Sequence, residues 1–179
     1  MGDQTAGDFV VFQAGSDLAV ACEWQLPPDG RDQLDEEDTA RTREFELRMP
    51  FLNGKEMDME RIDAIVRMGD TEVWEATTLD AFPHNFHVHD VQFRVLDIDG
   101  EKPPVWLRGW KDTVPLYPGQ RVRLIMRFED YTDTAVPYMM HCHLLQHEDS
   151  GMMGQFLVTE DGLGPDRVAL PEADGHGHH

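Results

Sequence analysis

The chain has 179 residues and a formal net charge of −20, from 35 acids against 15 bases, and its lysines are Lys55, Lys102 and Lys111. Phosphate backbones and anionic lipid surfaces call for clustered Lys and Arg, so nucleic acid and membrane surfaces are excluded as partners, and no run approaches the roughly 20 apolar residues of a membrane span. The length suits one domain with a sizeable core, and an acidic surface keeps it soluble and attracts cations.

From the N-terminus onward, short apolar and β-branched runs alternate with turn signals, as in an all-β chain. Residues 9–12 and 18–24 predict a first hairpin around Ala14-Gly15-Ser16-Asp17, with Cys22 as a small buried core residue. Residues 27–43 read as an acidic loop with at most one helical turn, because Pro27-Pro28-Asp29-Gly30 and Asp35-Glu36-Glu37-Asp38 favour solvent. Strands are predicted near 44–49, 64–67, 71–78, 86–98, 121–127, 138–143 and 154–159, separated by turns at Gly69-Asp70, Asp99-Gly100 and Pro118-Gly119. That spacing implies a Greek-key β-sandwich. We take 1–161 as a single domain and 162–179 as a flexible acidic and His-rich tail, in which His176, His178 and His179 have no specific task. Met1-Gly2-Asp3-Gln4 lacks the basic start and apolar run of an export signal, which leaves the compartment open.

The chemistry lies in two clusters, His84-Asn85-Phe86-His87-Val88-His89 and His141-Cys142-His143 followed by His147 and Met152. Side chains alternate across a strand, so His141 and His143 share one face while Cys142 points to the other, and His87 and His89 share a face that His84 does not. Cys142, His84, His147 and Met152 can therefore converge on one side. Two imidazoles, a thiolate and a thioether are the donors of a blue copper site. His87, His89, His141 and His143 converge on the other side as an all-imidazole set suited to copper, zinc or iron. The backbone at Cys142 joins the two groups by the shortest covalent path, as an electron wire between metal centres requires.

These motifs resemble those of the multicopper oxidases, specifically their C-terminal cupredoxin domain, the family of laccases, cuprous oxidases and bilirubin oxidases. The family's His-Pro-x-His-x-His reads here as His84 to His89 with Asn85 in place of proline, and His-Cys-His-x-x-x-His-x-x-x-x-Met reads as His141 to Met152. Phe51-Leu52-Asn53-Gly54, Trp110-Lys111-Asp112-Thr113-Val114 and Glu148-Asp149-Ser150-Gly151-Met152-Met153 also match, so the resemblance covers most of the chain. It implies a cupredoxin β-sandwich. It further implies a type 1 copper on His84, Cys142, His147 and Met152 that accepts electrons from a reducing substrate. A type 2 copper on His87 and a type 3 pair on His89, His141 and His143 would reduce dioxygen to water. Glu148 matches an acidic position that relays protons to oxygen, against the alternative of a solvated loop acid. Asn85 removes a fixed φ before the ligand strand, which is expected to loosen the loop without removing a ligand. Met57 and Met59 fall in a connecting segment, which favours a structural part for both.

The family's cluster takes four His-x-His pairs, two of them from an N-terminal domain. Outside the motifs the chain has only His176, His178 and His179, so it carries half of a trinuclear cluster. A twofold homo-oligomer would bring the other half. The rivals are a separate N-terminal oxidase subunit, or a longer enzyme of which this is a fragment. A plain electron-transfer cupredoxin is the alternative function, disfavoured because a simple carrier has no need of histidines on both sides of the cysteine. A copper nitrite reductase is weaker still. The reducing substrate, a phenol or a metal ion, cannot be read from these residues.

Overall fold

A computed structural model describes residues 34–169. Within them run ten strands, β1 (Arg41–Arg48), β2 (Phe51–Leu52), β3 (Ala64–Arg67), β4 (Thr71–Thr78), β5 (His84–Val88), β6 (Phe93–Ile98), β7 (Thr113–Leu116), β8 (Arg121–Arg127), β9 (Tyr138–His141) and β10 (Met153–Thr159). One short helix, α1 (Leu145–Asp149), lies between β9 and β10. Two five-stranded sheets result, in the orders β2-β1-β4-β8-β6 and β3-β10-β9-β5-β7. β1 with β4 and β3 with β10 pair in parallel, and the other neighbours are antiparallel. The all-β sandwich is as the sequence predicts.

The core fills the gap between the sheets. Trp74 of β4 lies 4.6 Å from Phe45 of β1, ring centre to ring centre, and reaches across to Phe86 of β5 at 6.4 Å and Phe156 of β10 at 5.5 Å. Aromatic pairs at these separations add about 0.5–1.5 kcal/mol each beyond area burial. Glu72, only 2% exposed, enters this core with its charge met. Arg43 grips it through Nε (2.6 Å) and Nη2 (2.8 Å), Trp74 Nε1 donates to it at 2.8 Å, and Arg43 Nη2 also reaches the carbonyl of Ile65 on β3.

Several elements differ from the sequence reading. The strand expected over 86–98 is two strands in different sheets, because Asp90 adopts φ +74° and turns the chain across the sandwich. β1 begins at Arg41, inside the stretch read as acidic loop. β7 was not foreseen: it holds Pro115, which an edge strand tolerates because its missing N–H faces away from the partner, and β7 is indeed at the edge beside β5. β9 stops at His141 rather than running to His143, and α1 occupies residues read as loop. Part of the stretch read as a flexible tail is tied down. Ile62 N–H donates to Asp166 O at 2.9 Å and Val168 N–H to Glu60 O at 2.7 Å, and Val168 packs on Ile62 and Leu157. The predicted first hairpin, Cys22, and His176, His178 and His179 lie outside the described residues. No helix among the described residues is long and apolar enough to cross a membrane.

Candidate metal centre

β5, β9 and the α1 turn meet at one end of the second sheet, and they bring the two predicted histidine groups together on either side of Cys142. His84 opens β5 with its ring on the core side, Cys142 sits one residue past β9, and His147 comes from α1. His84 is 2% exposed and Cys142 fully buried. Cys142 Sγ lies 3.4 Å from His147 Nδ1 and 3.7 Å from His84 Nδ1, and the two Nδ1 atoms are 3.1 Å apart. Metal bonds of about 2.0–2.1 Å to nitrogen and 2.3 Å to thiolate in a trigonal plane would separate such donors by roughly 3.5–3.8 Å, within a small side-chain adjustment of what is seen. Met152, fully buried, closes the same loop. Its carbonyl accepts from Cys142 N–H at 3.2 Å and its N–H donates to His147 O at 3.1 Å, with Gly151 at φ +94° making the turn.

The tautomer of His84 follows from its neighbour. Asp80 Oδ2 lies 2.9 Å from His84 Nε2, so Nε2 donates and Nδ1 keeps its lone pair for a metal. Burial pushes the Cys142 thiol up and the His147 imidazole down. A cation among the three donors would reverse the first effect, since coordination deprotonates a thiol.

The second group occupies the opposite face. His87 pairs directly with His141 across the β5–β9 ladder, and their ring centres are 5.2 Å apart. His89, just past β5, brings Nε2 to 3.2 Å from His141 Nε2. His143 stacks near both, 5.1 Å from His87 and 5.0 Å from His141 by ring centres, and its side chain is the most exposed of the four. His87 Nδ1 donates to the carbonyl of Asp112 at 2.9 Å, with Thr113 Oγ1 at the same distance, which leaves Nε2 open. Burial, then neighbouring imidazoles, push His89 down, and burial above all pushes His141 down. Neutral, metal-binding imidazole is thereby favoured.

Glu148 is not the solvated loop acid of the alternative reading. It lies on α1 with Oε2 3.5 Å from Nδ1 of both His141 and His143. Glu148 Oε2 and His141 Nδ1 are both buried without a hydrogen-bond partner. That is a carboxylate set behind an imidazole whose Nε2 faces the other histidines, the outer support that metal-bound histidines use.

Residues 25–162 match the family model of the multicopper oxidases. This chain belongs to the multicopper oxidase family. It is 46% identical over 112 residues to a multicopper oxidase of Staphylococcus haemolyticus, covering 60% of this chain and 24% of that protein. It is 38% identical over 135 residues to a laccase of Haloferax volcanii, covering 69% and 23%. Among solved structures it superposes on the laccase-like multicopper oxidase CueO of an Ochrobactrum species with a TM-score of 0.65 and 34% identity, covering 73% of this chain and 33% of that one. The chain thus spans about a quarter of the length of the curated relatives it matches, and its sandwich is of the cupredoxin kind.

A multicopper oxidase implies copper, and the donors present fit it: a thiolate with two imidazoles on one side, and imidazoles backed by a carboxylate on the other. The sequence marked every one of these ligand candidates. It missed the residues that orient them, Asp80, Asp112 and Thr113, whose partners are distant in the chain or, for Asp80, ordinary in spacing. It also gave no sign of what the Asn85 side chain does: Asn85 lies within β5 and accepts the His143 N–H on its side chain.

Proposed function

We propose that this chain is the C-terminal-type domain of a laccase-like oxidase, with a type 1 copper held by His84, Cys142, His147 and Met152 and half of a trinuclear copper cluster held by His87, His89, His141 and His143. Copper, when bound, supplies one-electron redox chemistry at the first group and the reduction of dioxygen to water at the second. The observation that carries this reading is the position of Cys142. Its Sγ is among the first group's nitrogens, while the imidazoles bonded to it in sequence, on His141 and His143, are among the second's. The main chain there is a covalent bridge of a single residue.

The protein's own groups then divide the work. Asp80 orients His84, and the Asp112 carbonyl orients His87. Glu148 sets a carboxylate oxygen 3.5 Å from Nδ1 of both His141 and His143, the position of a proton relay to oxygen. Beside His87 and His89 an open cavity of ≈ 410 Å³, lined also by Asp90, Asp112 and Tyr138, gives room for imidazoles from elsewhere. A second copy related by a twofold axis would fill it with the same four histidines; a separate N-terminal subunit, or an N-terminal part of the same polypeptide, would do so equally. The reductant is a phenol or a metal ion, the first in keeping with the laccases among its relatives, and His147, partly exposed where His84 is buried, is the ligand nearer to it.

The test is copper per chain and sedimentation mass after loading, with oxygen uptake on a phenol and on a reduced metal ion and a near-ultraviolet band for coupled copper. An oligomer with uptake and that band supports the oxidase. A monomer with one copper per chain, blue absorbance and no uptake makes it an electron carrier.

A further inference from the structure

The pairing of β5 with β9 follows a fixed register. His87 faces His141, Val88 faces Met140, and His89 N–H donates to Met139 O at 2.9 Å. Bonded pairs recur at every second residue of an antiparallel ladder, so the next rung would join Asn85 to His143. β9 ends before it is made. The His143 N–H is taken instead by Oδ1 of the Asn85 side chain, and the same oxygen lies 3.8 Å from Cys142 Sγ. The main-chain N–H groups of Asn85 and Leu144 also face the sulfur. Asn85 can spare its N–H. On its other flank it faces Pro115 of β7, and the bond from Val88 N–H to Asp112 O sets a phase in which residue 85 is not a donor to that strand.

We infer that Asn85 is a positioning residue, whose carboxamide replaces the missing rung, holds the Cys142–His143 peptide against β5 and fixes how the sulfur is presented to a metal. This rests on the copper reading above. The family motif has proline here, which offers neither an N–H nor a carboxamide, so the contact is a property of this chain rather than of the motif. Hydrogen bonds around the cysteine sulfur tune the potential of a copper–thiolate site. Donors that stabilise thiolate charge favour the reduced metal, and removing them lowers the potential. The clamp also holds the His143 main chain, whose imidazole is more exposed than those of its neighbours.

The test compares three variants of the full chain loaded with Cu(II). Asn85→Ala removes the carboxamide and keeps the main-chain N–H. Asn85→Pro removes both, and Asn85→Ser returns a neutral oxygen acceptor. The readouts are the thiolate-to-copper absorption band, the midpoint potential and copper per chain. The expected result is a displaced band and a changed potential in Asn85→Ala, which loses the clamp but keeps the main-chain donor, a lowered potential in Asn85→Pro, which loses that donor as well, and a partial return toward the parent in Asn85→Ser. If the parent itself shows no such band, the copper reading fails and this inference falls with it. If the parent shows the band and Asn85→Ala keeps both band and potential, the inference alone is overturned, whether or not Asn85→Pro takes up metal.

Discussion

Asp80 and His84 are joined by a 2.9 Å contact between Oδ2 and Nε2, and that contact decides which nitrogen of His84 can bind a metal. Asp80 is itself fixed, since Met49 N–H donates to the same oxygen at 2.7 Å and Thr78 Oγ1 accepts the Asp80 N–H at 3.2 Å. Asp80→Ala frees the ring to rotate and to change tautomer. Losing such an outer partner lowers metal affinity by about 10–100-fold. Competition for copper against a chelator, followed in the visible band, measures it, and an unaltered affinity would reduce Asp80 to a loop cap.

Glu148 faces two imidazoles, with Oε2 3.5 Å from Nδ1 of both His141 and His143. Glu148→Gln keeps its shape and removes its charge and its proton-carrying capacity. Oxygen turnover should fall by about 10²–10⁴-fold, the usual share of a positioned acid or base, while the band from the Cys142 group stays as in the parent. Equal loss of band and turnover would mean that the carboxylate holds the site together rather than moving protons.

The ligand candidates were legible because a metal centre constrains residue type and spacing at once. His87 with His89, and His141 with His143, declared a shared face by strand parity, and Cys142 declared the opposite one. The supports were not legible for a physical reason. Asp112 and Thr113 reach His87 from the residue before β7 and from its start; the proline and brevity of that strand hide it, and the Asn85–His143 bond exists only because β9 stops one rung short. The break at Asp90 was equally hidden, since a positive φ on a non-glycine residue leaves no pattern in the apolar alternation on either side of it. Sequence therefore marks the candidate ligands, and the structure shows what orients them.

Three candidate ligands are held below the ordinary histidine value of 6.5, His89, His141 and His147, each chiefly by burial. The unfolded chain binds protons at these positions at a higher pH than the folded one. Stability of the metal-free protein is thus complete above the unfolded value and falls as pH drops below it. Chemical denaturation of the apoprotein at intervals between about pH 7.5 and pH 5 should show the midpoint falling across the lower part of that range. His141→Gln should flatten the slope, and a slope of the opposite sign would contradict the burial of these rings.

The Arg43–Glu72–Trp74 group yields a prediction about the sandwich that leaves the metal groups untouched. Glu72 is buried in the core with a two-point contact to Arg43 and one bond from Trp74 Nε1. Trp74→Phe keeps a smaller aromatic ring among Phe45, Phe86 and Phe156 and removes the Nε1 donor with part of the packed indole, so the loss should be about 1–3 kcal/mol for the buried acceptor left short of a partner, plus a cavity term for the missing ring atoms. Arg43→Met removes the counter-charge and the bridge to the Ile65 carbonyl on the other sheet. An uncompensated buried carboxylate costs about 3–5 kcal/mol, so this variant should be the less stable of the two. Urea unfolding orders them, with unchanged denaturant slopes as the check that only native contacts were altered. The reverse order would mean that the aromatic contacts of Trp74, rather than the charge pair, join the two sheets.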